Sequence, residues 1–249
     1  MMTPHSLSRW TAALLATACL AGSAQAADAP AWPDTYVRRL QAQALLQTLN
    51  ANILASTSAT LTLEKWCADH GMAGDAKIVA RQQSNADLPA TPEQRARLRV
   101  TDETPLKYRR VQLYCGAHLL SEADNWYVPG RLSAAMNQLL EQTDTPFGKV
   151  VLPLAPYRRT FAAKALWSPL PERWESLPAP GTTSTASATV ATGAAPAMPS
   201  TPAKPALLPI PAALFEHRAM LYTRDHEPIA EVRETYQRGL LNFPPPALP

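Results

Sequence analysis

Apolar residues recur at helical spacing over Tyr36–Ala55 (Tyr36, Leu40, Ala44, Leu45, Leu49 and Ile53) with no proline among them, which predicts an amphipathic helix. A second, shorter helix is expected over residues 61–70, stopped by Gly71, and a strand over 77–82. Thr91-Pro92-Glu93-Gln94 offers a capping threonine, proline at the first helical position and a glutamine three residues on, so a short helix should run to about Leu98. From Leu106 the pattern changes to β-rich runs. Residues 108–115 and 119–128 flank Gly116, Ala117 and His118 and read as a hairpin, followed by a helix capped by Ser133 and reaching about Gln142. Residues 149–166 read as one or two strands bent at Pro153 or Pro156, and residues 215–223 and 228–236 as a second hairpin turning at 224–227.

The two hairpins resemble each other. Leu113-Tyr114 precedes one turn and Leu221-Tyr222 the other, with Trp126-Tyr127 and Thr235-Tyr236 on the returning strands. This weak repeat suggests an antiparallel sheet built from two related halves, with helices on one face and a cavity between. Between about residues 178 and 211 nearly every residue is Ala, Pro, Thr, Ser or Gly, too little apolar area to offset the entropy of ordering. Strands on both sides of that segment are needed for one sheet, so it is expected to be a disordered surface insert within a single domain, residues 27–249.

The first residues have a different logic. A positive start at Arg9, an apolar stretch over residues 12–21, and Ala24 and Ala26 flanking Gln25 give the three regions of a signal peptide, with cleavage expected after Ala26. The apolar run is about half the ~20 residues that cross a bilayer, so no membrane span is expected after cleavage. Lipid attachment at Cys19 is a second exit route. A periplasmic or secreted location follows, where the two remaining cysteines, Cys67 and Cys115, are either bridged or two buried thiols. The 249 residues carry a formal net charge of +3 with no basic block, which argues against nucleic acid as a partner.

No G-x-G-x-x-G, Walker, G-x-S-x-G or H-E-x-x-H pattern occurs, so nucleotide binding, serine hydrolysis and zinc proteolysis lose their support. His70, His118, His217 and His226 are isolated in sequence, and no metal site is expected. The candidates that remain are charged residues on strands. Alternation along residues 228–236 puts Ala230, Val232 and Tyr236 on one face and Glu231, Arg233 and Thr235 on the other, so Glu234 points with the apolar set. A carboxylate there is costly unless paired or used. Arg109-Arg110 enters the first hairpin strand, one side chain facing each way, as a solvated strand end or as a bidentate partner for a carboxylate.

Tyr108-Arg109-Arg110-Val111-Gln112-Leu113-Tyr114-Cys115, the strand ending Trp126-Tyr127-Val128-Pro129, Thr145-Pro146-Phe147-Gly148, and the last hairpin with Pro228 and Glu234 resemble the chorismate lyase family, whose fold also serves as the effector domain of some GntR-type regulators. The resemblance implies an α+β fold with about six antiparallel strands and helices packed on one side. It also implies an activity that uses no cofactor, the release of pyruvate from dianionic chorismate to leave 4-hydroxybenzoate. It places the catalytic glutamate at Glu234 and, by counting back from the cysteine, the carboxylate-binding arginine at Arg110, whereas strict alternation turns Arg109 inward. Asn125 stands where an arginine is implied, and further substrate contacts carry over to Phe147, Ser58 and Thr60. The function expected is thus an exported chorismate lyase-like protein. The rivals are a non-catalytic binding protein for a small anionic aromatic ligand, or a structural role in the envelope. A monomer is expected.

Overall fold

The computed structural model describes residues 31–83, 87–176 and 206–248. The expected signal peptide, and most of the insert expected over 178–211, lie outside the described residues.

Helix α1 covers Tyr36–Ala55, with the Thr35 hydroxyl accepting from the Arg38 amide at its start. Its buried stripe is Ala42, Leu46, Leu49 and Ile53, rotated from the one read in the sequence: Tyr36 and Ala44 are exposed and Leu46 takes the inner place beside Leu45. Helix α2, Ala59–Asp69, is capped by Ser58 and buries Leu63, Trp66 and Cys67. Strand β1 is Ile78–Gln82. Helix α3, Pro92–Leu98, carries the expected capping box in full, Thr91 and Gln94 each bonding the other's backbone. Strands β2, Lys107–Cys115, and β3, His118–Tyr127, form the first hairpin, and α4, Ala134–Gln142, follows it. Residues 149–166 differ from expectation. A single helical turn, α5 (Phe147–Val150), and a 3-10 turn come first, because Pro153 and Pro156 cannot donate to a ladder, and only then does strand β4 run, Tyr157–Ala165. Strands β5, Ala213–Tyr222, and β6, Pro228–Gln237, form the second hairpin.

All neighbours are antiparallel in the order β1-β2-β3-β6-β5-β4, so the sheet is two three-stranded meanders joined where β3 meets β6. This is the α+β class with the six strands and two related halves expected. Alternation divides the sheet into two faces. On one, α1 and α2 cover Val111, Leu113, Ala123 and Tyr236, while α4 and α5 cover Tyr127, Leu221, Ala230 and Val232. Helix α3 departs from a one-sided arrangement and packs on the opposite face, where Leu98 meets Trp126, Val128 and Met220. Glu231 is wholly buried beneath it, held by Arg97 at 2.7 Å, Arg218 at 2.9 Å and the Gln94 amide at 3.3 Å. No helix among the described residues is long and apolar enough to cross a membrane.

Cys67 on α2 and Cys115 at the end of β2 are bridged, with 6.2 Å between their Cα atoms and 48 residues of separation. The indoles of Trp32 and Trp66 donate to the carbonyls of Leu241 and Leu240, which docks the C-terminal turn on the same side. Closing a loop of this length restricts the unfolded chain by about 4 kcal/mol in the entropy model. Reducing the bridge, or replacing both cysteines by alanine, is therefore expected to lower unfolding free energy by about 2–4 kcal/mol, measured by urea titration with and without dithiothreitol.

Candidate functional site

The helix-covered face holds a cavity of about 40 Å3, room for a few waters, bounded by the sheet below and by two helix starts above. Its floor is apolar: Val111, Leu113, Ala123, Val232 and Leu221. Its roof is residues 57–60 before and within α2, together with Pro146, Phe147 and Gly148 at α5. The roof is tight. A β-carbon on Gly148 would stand 2.9 Å from the Thr60 hydroxyl and 3.2 Å from that of Ser58, so a side chain there would have to displace both hydroxyls from the roof. Pro156 and Arg158 close the side toward β4.

Of the residues singled out in the sequence, Glu234, Asn125, Phe147, Ser58 and Thr60 all line this cavity. Ser58 also caps α2, its hydroxyl accepting from the Leu61 amide. Arg109 and Arg110 separate as alternation requires. Arg110 projects from the opposite face, where it meets Glu122 at 3.3 Å, and motif counting therefore places the wrong member of the pair inward. Arg109 is buried on the cavity face, opposite Asn125 in the ladder. One of its terminal nitrogens donates to the carbonyls of Thr143 and Thr145, at 3.3 and 3.2 Å, and its Nε and Nη1 have no partner among the described residues. Burial disfavours its charged form and lowers its pKa, against the opposing influence of Tyr127 and Asp144.

Glu234 is not free. Arg158 Nη2 lies 2.7 Å from its Oε2, and the Tyr236 hydroxyl donates to the same oxygen at 2.9 Å. The Arg158 side chain is 3% exposed, and its Nε, like that of Arg109, finds no partner. Burial, the largest single influence, would lower the pKa of Arg158, but the charges and hydrogen bonds of Glu234 and Tyr236 together outweigh it and the net shift is upward. Tyr236, fully buried and stacked on Phe215, has its hydroxyl pushed well above the ordinary phenol range by burial and then by the neighbouring carboxylate. His217 stands across the ladder from Glu234, with Nε2 2.7 Å from Asn50 Oδ1 and Nδ1 unpartnered. Burial pulls its pKa down to about 4, so the ring is neutral at pH 7 and Nε2–H donates to Asn50.

Arg158, Tyr236, His217 and Asn50 are absent from the sequence-based set. Arg158 had a visible signal, since Tyr157-Arg158-Arg159 repeats the Tyr108-Arg109-Arg110 pattern at the start of another strand. Asn50 had none, being one of several amides along α1.

Fold and site together define an α+β protein whose antiparallel sheet and helices bound a small cavity lined by the buried side chain of Arg158, with Arg109 buried on the same face. It belongs to the family of the uncharacterized protein y4mC of Sinorhizobium fredii, with which it is 43% identical over 219 residues, 87% of this chain and 84% of that protein. No protein-family model matches the sequence. Among solved structures, the chain is similar to PhnF from Mycobacterium smegmatis (TM-score 0.42, 13% identity, 85% of this chain and 84% of that one). It is also similar to a GntR-family transcriptional regulator from Enterococcus faecalis (TM-score 0.30, 9% identity, 64% and 89%) and to a possible transcriptional regulator, YydK, from Bacillus subtilis (TM-score 0.35, 11% identity, 68% and 62%). With TM-scores below 0.5 these likenesses carry no argument about this chain.

The position of His217 makes stability depend on pH. Its folded pKa of about 4 lies below the ordinary imidazole value of 6.5, so the unfolded chain binds the proton more readily between those values. The contribution is intact above about pH 6.5 and is lost as pH falls through about 4, by about 3 kcal/mol in full. His217→Gln should flatten the unfolding free energy between pH 6.5 and 4.5, measured by urea titration at stepped pH.

Proposed function

We propose that this protein binds a small organic anion, an aromatic carboxylate of the kind the resemblance to chorismate lyase implies, and holds it without chemical turnover. The observation that carries the reading is the pair of buried guanidinium groups, Arg109 and Arg158, with donors left unpartnered among the described residues, beside a cavity of apolar floor and partly polar roof. An unpaired buried donor destabilises a protein by about 1–3 kcal/mol, more when charged, and such groups are retained where a ligand completes them. Apolar walls from Phe147, Leu221 and Val232 suit a ring, for which the space of about 40 Å3 must widen by parting of the two helix starts in its roof, and Asn125 and the Ser58 and Thr60 hydroxyls suit its polar substituents.

A second reading, pyruvate release from chorismate, is favoured by the placement of Glu234 on the cavity face. Two features weigh against it. Glu234 Oε2 is already engaged by Arg158 and Tyr236, and Asn125 removes a positive charge that a dianionic substrate would need. For location we propose the periplasm or the exterior, supported by the signal-peptide pattern of the first 26 residues and by the Cys67–Cys115 bridge, which persists in oxidising compartments.

The purified chain should melt about 5–8 °C higher with 4-hydroxybenzoate at a hundredfold excess over Kd, and should release no pyruvate from chorismate. Arg109→Met should be as stable as wild type, or up to about 2 kcal/mol more stable, yet lose that shift, because a buried charge is removed along with the ligand contact. Pyruvate release abolished by Glu234→Ala would replace the binding reading with the lyase one. Absence of both pyruvate and any ligand-dependent melting shift would remove both.

A further inference from the structure

The charges fixed in and beside the cavity do not cancel. Arg158 and Glu234 are the charged residues among the described cavity-lining ones, and Arg109, buried on the same sheet face opposite the lining Asn125, adds a second positive charge beside them. Nearby charged residues are either paired among themselves or exposed. Lys149 meets Glu64, Lys107 meets Glu141, and Asp144 lies exposed beyond Arg109. Glu234 spends its Oε2 on Arg158 and Tyr236, so Arg158 is neutralised from within the protein, while Arg109 is met by backbone carbonyls and, at longer range, by the exposed carboxylate of Asp144. The remainder is one positive charge without a buried counter-ion, beside a small, partly open cavity with an apolar floor.

In such a space the charge of a ligand matters more than in water, because little solvent is present to screen an imbalance. A monoanion brings the site to neutrality. A dianion of the same shape leaves one buried negative charge over, and Asn125, a neutral amide facing the same cavity, cannot absorb it. We infer that Glu234 acts as the internal counter-ion of Arg158 and thereby sets the charge of the ligand, so that the cavity accepts monocarboxylates and rejects dicarboxylates of equal size. This inference rests on the binding reading above and deepens it by fixing the ligand class. It also gives Glu234 a role in specificity that involves no proton transfer.

Terephthalate and 4-carbamoylbenzoate form a suitable pair, nearly identical in shape but carrying two charges and one at pH 7. Titration calorimetry on the full chain should show 4-carbamoylbenzoate bound at least tenfold more tightly than terephthalate. Glu234→Gln, which keeps the shape of the side chain and raises the site's charge by one, should shrink that ratio at least tenfold or reverse it. Asn125→Arg adds the charge from the other side of the cavity and should move the ratio the same way, which guards against a folding defect in either variant alone. Equal affinity of the wild type for the two acids, or a ratio that both folded variants leave unchanged, overturns the inference while the binding reading stands. Binding of neither acid by the wild type overturns the binding reading and the inference with it.

Discussion

Strand register at the join between the two meanders decides what this cavity contains. Ala123 pairs with Glu234 and Asn125 with Val232, so the last strand presents Val232, Glu234 and Tyr236 to the helix-covered face and Glu231, Arg233 and Thr235 to the other. A slip of one residue would exchange the two sets, placing Arg233 in the core and exposing Tyr236. Nothing in the turn at residues 223–227 fixes this alone. The register is held by what each face buries, including the Tyr236 ring on Phe215 and the Glu231 carboxylate under α3.

The two buried glutamates of β6 show how differently a sheet can accommodate a carboxylate. Glu231 is surrounded by two arginines and an amide that all direct donors at it, and both arginines also flank the exposed ring of Phe161. That cluster ties α3, β5 and β6 together, as a structural ion pair network does. Glu234 has the opposite surroundings: one arginine, one tyrosine, and beyond them a space lined by groups whose hydrogen-bonding capacity is unspent. Strand β6 therefore carries one acid that belongs to the architecture and one that faces the site.

Much of this was readable in the sequence. Tyr36–Ala55 forms a helix over the residues its spacing predicts, the capping box at Thr91 forms, and parity puts Glu234 and Arg109 on the cavity face. Strict alternation is a property of the backbone, so it locates Arg109 better than counting along a short motif does. The sequence was less informative where order depends on distant partners. The inner stripe of α1 is rotated because Leu46, at the helix centre, packs into the core ahead of Leu45. Residues 147–156 look strand-like in composition yet turn as a short helix under the two prolines, which conceals Arg158 at the beginning of the strand that follows. That α3 would cross to the far face follows from Glu231 finding its partners there, a contact across more than 130 residues.

The bridge between Cys67 and Cys115 fastens α2 near its C-terminal end, where Trp66 also docks on the Leu240 carbonyl. At the other end, Ser58 and Thr60 lie against Gly148 across the cavity roof without a covalent tie. The helix is thus a lever with its pivot at Cys67 and an arm of about 10–12 Å to Thr60, at 1.5 Å per residue. A tilt of about 10° about that pivot displaces the roof by about 2 Å, by the same helix geometry, while the pivot itself hardly moves. The same covalent bond that restrains the unfolded chain thus fixes one end of the helix, while the end at the cavity roof is held by non-covalent packing.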